Sequence, residues 1–235
     1  MQVRAVLFDL DGTLLDTLAD IADAANGVLR SRGFPEHPTE AFRAFIGEGV
    51  AVLFLRALPP DRASDELVAR CVEEFRAAYA KNWNIQTHPY EGIPALLDAL
   101  TRRGLALAML SNKPDEFTQL YADTYLARWP FPAVFGSREG VPRKPDPAGA
   151  LEVVRALSIP AELFLYVGDS AVDMETARRA GMHPIGAAWG FRTAEELWSG
   201  GAEAVIERPA ELLEILDGRR SVGRRAGDAE GGEPS

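Results

Sequence analysis

The chain reads as an α/β protein, a parallel sheet between helical layers, with one all-helical stretch set into it. Three observations predict this. Short apolar runs recur as continuous rather than alternating segments, the pattern of strands buried on both faces. Helical patterns separate them, several opening on proline and closing on glycine, the expected asymmetry of helix ends. The alternation breaks in one region: from about residue 16 to residue 84 helical periodicity continues with no convincing strand.

Taken in order, residues 3–8 are the first strand, which stops abruptly at Asp9. LADIADAANGVLRSRG is a helix ended by Gly33, and TEAFRAFIGEGVAVLFLRAL reads as two helices broken near Gly47 and Gly49. SDELVARCVEEFRAAYAKNW is a long amphipathic helix with Ser64 as its N-cap. Hinges of this insert fall near residues 15–17 and 88–92. Pro94 opens a helix that stops at Gly104, and residues 105–110 (LALAML) form the second strand. Pro114 opens the next helix, followed by a short strand at 133–135. A helix from Pro147 leads to a strand at 163–167, and a helix at 171–180 ends at Gly181. Strands at 185–189 and 204–206 complete the series. Strand and helix in alternation imply right-handed crossovers. The expected division is a discontinuous core at 1–15 and 88–217, a helical domain at 16–87, and a disordered tail at 218–235.

Bulk properties narrow the function. A length of 235 residues with 47% hydrophobic residues supports a full core. The formal net charge of -10 argues against nucleic acid and anionic membranes as partners. The one cysteine, Cys71, sits on a helix face as a packed thiol and allows no internal disulfide. With no signal-type N-terminus and no apolar run of membrane-spanning length, the sequence reads as cytoplasmic.

The chemistry lies at four strand ends. The first reads Asp9-Leu10-Asp11-Gly12-Thr13 and the second Ser111-Asn112. Arg143-Lys144-Pro145 follows the third, and the fourth ends in Gly168-Asp169-Ser170 with Asp173 four residues beyond Asp169. A parallel sheet gathers all four along one edge, where α/β proteins bind ligands. Two acids as close as Asp9 and Asp11 repel unless a cation sits with them. Carboxylates, a hydroxyl and an ammonium together suit phosphoryl transfer with Mg²⁺, a hard cation that prefers oxygen ligands. Only three of the 25 basic residues are lysines: Lys81, Lys113 and Lys144. Lys144 is preferred for the site, because Lys113 precedes Pro114 at a helix start and is expected to be exposed.

The motifs FDLDGTLLDT, LSNKP, RKPDP and VGDSAVD, in this order, resemble those of the haloacid dehalogenase superfamily, in its phosphoglycolate phosphatase-like branch. The resemblance spans about residues 3–217. It implies a Rossmann-like core with a helical cap inserted, and a Mg²⁺-dependent phosphomonoester hydrolase working through an aspartyl-phosphate. Asp9 is then nucleophile and metal ligand. Asp11 is general acid and base, its backbone carbonyl also ligating the metal. Ser111 and Asn112 bind the phosphoryl group with Lys144, Asp169 ligates Mg²⁺, and Asp173 supports the metal or Lys144 from behind. The RAFIGEGV loop resembles the cap loop that enters the site, making Arg43 a candidate for a substrate carboxylate or second phosphate. The expected partner is a small phosphorylated metabolite, 2-phosphoglycolate foremost, handled by a monomer or homodimer. A β-phosphoglucomutase-like phosphosugar mutase, a pyrophosphatase or nucleotidase, and a non-catalytic regulatory protein are the alternatives. The histidines and tryptophans read as packing or surface residues.

Overall fold

The computed structural model describes residues 2–220. Along the chain run β1 (Ala5–Phe8), β2 (Leu15–Asp16), α1 (Leu18–Ser31), α2 (Phe42–Phe45), α3 (Val50–Ala57) and α4 (Asp65–Asn82). These are followed by β3 (His88–Pro89), α5 (Ile93–Arg102), β4 (Ala106–Pro114), α6 (Asp115–Tyr121), β5 (Ala133–Ser137) and α7 (Ala148–Leu157). The last elements are β6 (Phe164–Gly168), α8 (Ala171–Ala180), β7 (His183–Ala187), α9 (Ala194–Ser199), β8 (Ala204–Ile206) and α10 (Glu211–Leu216). Six strands form one parallel sheet in the order β5-β4-β1-β6-β7-β8.

The sheet explains the continuous apolar runs. All four residues of β1 are buried. Val6 and Phe8 join one apolar cluster with Leu97 and Leu100 of α5 and Leu212 of α10. Ala5 and Leu7 join the other, with Val153 of α7 and Ala177 of α8. Alternate residues of a strand face opposite sides, so helices cover both faces and neither tolerates a polar residue. The chain runs outward from β1 in both directions, which puts the topological switch point, and the crevice it opens, at the end of the central strands.

α1 to α4 occupy the helical stretch, with no strand between β2 and β3. β2 and β3 pair antiparallel where the chain leaves and re-enters, at the two expected hinges. The apolar faces of these helices, with Ile21, Phe54, Cys71 and Phe75, are continuous with the Val6 and Phe8 face of the sheet. The Ser64 hydroxyl caps α4 by accepting from the Leu67 amide at 3.3 Å. Asp20 of α1 fastens the return segment. Its buried carboxylate accepts from the amides of Gln86 and Thr87, both at 2.9 Å, and from the Thr87 hydroxyl at 2.7 Å. Asp20→Ala is therefore expected to lower stability by about 3 kcal/mol in urea denaturation, because it strands buried donors. Asp23→Ala, which removes only an exposed contact to the Gln86 side chain, should cost under about 0.5 kcal/mol.

Two strand boundaries need correction. β4 runs on through Ser111, Asn112 and Lys113 to Pro114, with a register shift between Leu110 and Pro114. β7 begins and ends two residues earlier than the apolar run suggests, leaving residues 188–190 free to turn. α9 and α10 are additional helices, α9 opened by a capping box of Thr193 and Glu196. Within the stretch expected as tail, Arg220 donates to the Val205 carbonyl at 2.7 Å and pairs with Glu211. Residues 221–235 lie outside the described residues.

Candidate active site

β1 delivers Asp9 to the sheet edge, its amide still bonded to the Val167 carbonyl at 3.0 Å. The chain then turns tightly: the amides of Thr13 and Leu14 both bond back to the Leu10 carbonyl, at 3.2 and 3.0 Å. Gly12 makes this turn possible. Its φ of 82° is in the left-handed region, and a Cβ there would lie 2.2 Å from Asp169 Oδ2.

Asp9, Asp169 and Asp173 converge, each offering an oxygen within 4.8 Å of the others. Lys144 Nζ enters the cluster 2.6 Å from Asp173 Oδ1 and 2.9 Å from Asp9 Oδ1. The contact to Asp9 is an ion pair without hydrogen-bond alignment, so this buried oxygen has no hydrogen-bond partner. Burial, then the charge of Asp173, push the Asp9 carboxyl up to about 7, against the pull of Lys144. Burial raises Asp169 well above its ordinary value, helped by Asp173 and Asp9, while the Phe191 amide, donating at 2.7 Å, opposes it. For Lys144, burial works against the charge, yet Asp173 and Asp9 hold its pKa well above the usual lysine value.

These residues fit a hard divalent cation. Three buried carboxylates face one ammonium, an all-oxygen donor set with excess negative charge, and Asp9 Oδ1 has an unused lone pair. Asp173 is already engaged, by Lys144, by the Ser170 hydroxyl at 2.5 Å and as the N3 residue of the α8 capping box. Asp9 and Asp169 are thus the better placed ligands. The Asp11 side chain stands outside this cluster. It accepts from the buried Thr17 hydroxyl at 2.7 Å and from Lys113 Nζ at 2.9 Å.

Lys113 is the clearest miss of the sequence reading. Its side chain is 5% exposed. The irregular end of β4 turns it inward, where Nζ sits 5.0 and 4.9 Å from the ring centroids of Tyr79 and Tyr121. The two tyrosine hydroxyls share a 2.6 Å hydrogen bond. Cation–π attraction compensates the ammonium for lost water on the sides that Asp11 does not cover.

Ser111 and Asn112 reach the site as expected, but Asn112 is also structural. Its amide group donates to the Gly47 carbonyl at 3.0 Å and the Lys144 carbonyl at 3.1 Å, and its oxygen accepts from the Lys144 amide at 2.9 Å. This positions Lys144 and holds the 43–50 loop across the cavity.

Arg43 is not brought into the cavity. Its guanidinium donates to Glu40 at 2.6 Å and to the Gly190 carbonyl at 2.8 Å, beside the Phe191 ring. The physical reason is the short α2, which points this side chain at the segment after β7. Arg192 answers by donating to the carbonyls of Arg43 and, at 2.9 Å, Ile46. The loop enters the site at Ile46, Gly47, Gly49 and Val50. Core residues Asp9, Asp11, Ser111, Lys113 and Asp169 form the cavity floor, and insert residues Ile21, Val50, Leu53, Phe75 and Arg76 face them. His37 bonds the Ala57 carbonyl and His183 pairs with Glu203; among the described residues no histidine joins the acidic cluster.

The chain is similar to known proteins over most of its length. The model of the haloacid dehalogenase-like hydrolases matches residues 6–187. A phosphoglycolate phosphatase of Aquifex aeolicus is 34% identical over 215 residues, covering 92% of this chain and 97% of that protein. One from Nitrosospira multiformis is 31% identical over 220 residues, covering 92% and 96%. A crystal structure from Lactobacillus delbrueckii subsp. bulgaricus superposes with a TM-score of 0.86 at 32% identity, covering 92% of this chain and 99% of that one. The chain belongs to the haloacid dehalogenase-like hydrolase family, in its phosphoglycolate phosphatase-like branch. It is an enzyme, a phosphatase. No helix among the described residues is long and apolar enough to cross a membrane.

Proposed function

We propose that the protein hydrolyses a small phosphomonoester, 2-phosphoglycolate foremost, through an aspartyl-phosphate on Asp9, with Mg²⁺ as cofactor and residues 16–87 acting as a cap. The observation that carries this reading is the setting of Asp9: buried at a strand end, paired with Lys144, with one oxygen lacking any hydrogen bond. Such an oxygen is available to a metal or to phosphorus. The relatives named phosphoglycolate phosphatase support the choice of ester.

In the first step an Asp9 oxygen attacks phosphorus and the bond to the leaving oxygen breaks. Asp11, across the cavity floor, gives that oxygen its proton. The Ser111 hydroxyl and the backbone N–H of Asn112 hold the phosphoryl oxygens, and Lys144 balances their charge in the transition state. In the second step Asp11 takes a proton from water, whose oxygen attacks phosphorus and frees Asp9 and phosphate. Asp9, Asp169 and the Asp11 carbonyl, with Asp173 behind, would hold Mg²⁺, which would supply the charge neutralisation that lets the anionic carboxylate approach the anionic ester. The apolar insert excludes water while Asp9 attacks.

Phosphate release from a panel of esters, with Mg²⁺ and with EDTA, tests the reading. The expected result is metal-dependent release, highest for 2-phosphoglycolate, and a rise in Tm on adding Mg²⁺ in the absence of substrate. Release unaffected by EDTA, or a sugar phosphate isomerised without release, would sink it.

A further inference from the structure

We infer that Arg76 of α4 selects the substrate, favouring a short phosphomonoester whose far end carries a second anionic group and few hydroxyls. This rests on the phosphatase reading above and assigns to Arg76 the role that Arg43 does not fill.

The insert side of the cavity is chemically lopsided. Ile21, Ile46, Val50, Leu53 and Phe75 present hydrocarbon to whatever stands on the carboxylate floor. A sugar phosphate would bring several hydroxyls against these side chains, and hydroxyls buried without partners are disfavoured. Within the cavity lining, Arg76 is the cation that α4 contributes.

The other cations at the cavity are committed. Lys113 pairs with Asp11, and Lys144, just beneath, with Asp9 and Asp173. Arg192 donates to the carbonyls of Arg43 and Ile46. Arg43 is held by Glu40 and the Gly190 carbonyl. Arg76, among the described residues, makes no hydrogen bond and no ion pair, although it is exposed and follows Phe75 directly at the cavity wall. It also lies one turn before Tyr79, whose ring contacts the Lys113 ammonium. A guanidinium offers a planar pair of donors that matches a carboxylate or a phosphate. A ligand with its phosphate among Asp9, Ser111 and Lys144 would therefore extend along an apolar wall toward a waiting positive charge.

The test compares wild type, Arg76→Ala, Arg76→Lys and Arg70→Ala on 2-phosphoglycolate, ethylene glycol bisphosphate, 2-hydroxyethyl phosphate and glucose 6-phosphate. Arg70 is a control on the same helix, exposed, paired with Glu66 and outside the cavity. Arg76→Ala is expected to reduce the preference for acidic over neutral ester, as a ratio of kcat/KM, by roughly tenfold, the share of one solvent-screened charged hydrogen bond. The loss should appear in KM rather than kcat, because the contact is made equally before and during the reaction. Arg76→Lys should keep part of the preference and Arg70→Ala all of it. The carboxylate and bisphosphate arms show which anion is taken. Calorimetric binding of the same esters to Asp9→Asn, with and without Arg76→Ala, reads the preference without turnover. A preference unchanged by Arg76→Ala in both assays overturns the inference even if the enzyme is an active phosphatase. Binding preference lost with Arg76, in a protein that turns over no ester, sustains it while removing the hydrolytic reading.

Discussion

Asp9→Asn is expected to lower phosphate release by roughly 10⁴-fold or more while leaving the protein folded. The size follows from the proposed role: removing a nucleophile does more than weaken it, and catalytic groups acting as a unit fail together. The stability forecast follows from the site's electrostatics. Asp9 has an ordinary value of 3.8 that burial and Asp173 push up to about 7. A folded-state pKa above the unfolded one means that Asp9 adds to stability fully only below about 3.8, and that this contribution disappears as pH rises toward about 7. At pH 8 without metal the carboxylate is therefore a burden on the fold, and asparagine is not. In EDTA at that pH Asp9→Asn should melt no lower than wild type. With Mg²⁺ the order should reverse, because the variant lacks one of the proposed ligands. A variant that melts well below wild type in EDTA would contradict this picture of a crowded, underneutralised acidic cluster.

Lys144→Met is expected to cost about 3–5 kcal/mol in chemical denaturation at pH 8, and activity with it. The lysine side chain is 3% exposed and bridges Asp9 and Asp173. Removing it leaves three buried carboxylates facing one another with no ammonium among them. Methionine fills most of the volume, so the cost is electrostatic rather than a cavity. Two observations would check this origin. Adding Asp173→Asn should recover part of the loss, a coupling that independent effects would not show. Saturating Mg²⁺ should also recover part of it, by replacing the missing charge. A loss below about 1 kcal/mol would mean that the buried pair does not stabilise the site as described.

Much of this site was legible in the chain. Asp9 and Asp169 each follow a run of buried apolar residues, and such runs in a parallel sheet can end only at its edges. Lys144 lies in the loop after β5 and Asp173 in the first turn of α8, and the two meet. The capping box at Thr193 and Glu196 was equally open to reading, as Thr-x-x-Glu ahead of an apolar pair. Lys113 was not. Its neighbours suggested a solvated helix start, and nothing local announces that β4 continues through a register shift. Tyr79 and Tyr121, 42 residues apart, carry no sequence signal that they enclose one ammonium. Arg43 stood in the right loop, but its direction is set by Glu40 and by Gly190, 147 residues away.

The sequence by itself therefore determined the layered α/β fold, the place of the helical insert and the acids assembled at the sheet edge. Hydrophobic periodicity and strand-end position are local properties, and a parallel sheet converts them directly into spatial neighbourhood. Where Lys113 and Arg43 point was decided only by tertiary structure. Lys113 faces Asp11 rather than solvent, and Arg76 rather than Arg43 lines the cavity. Those directions depend on one shifted strand register and on how four helices settle over the sheet edge, and both are settled by contacts between residues far apart in the chain.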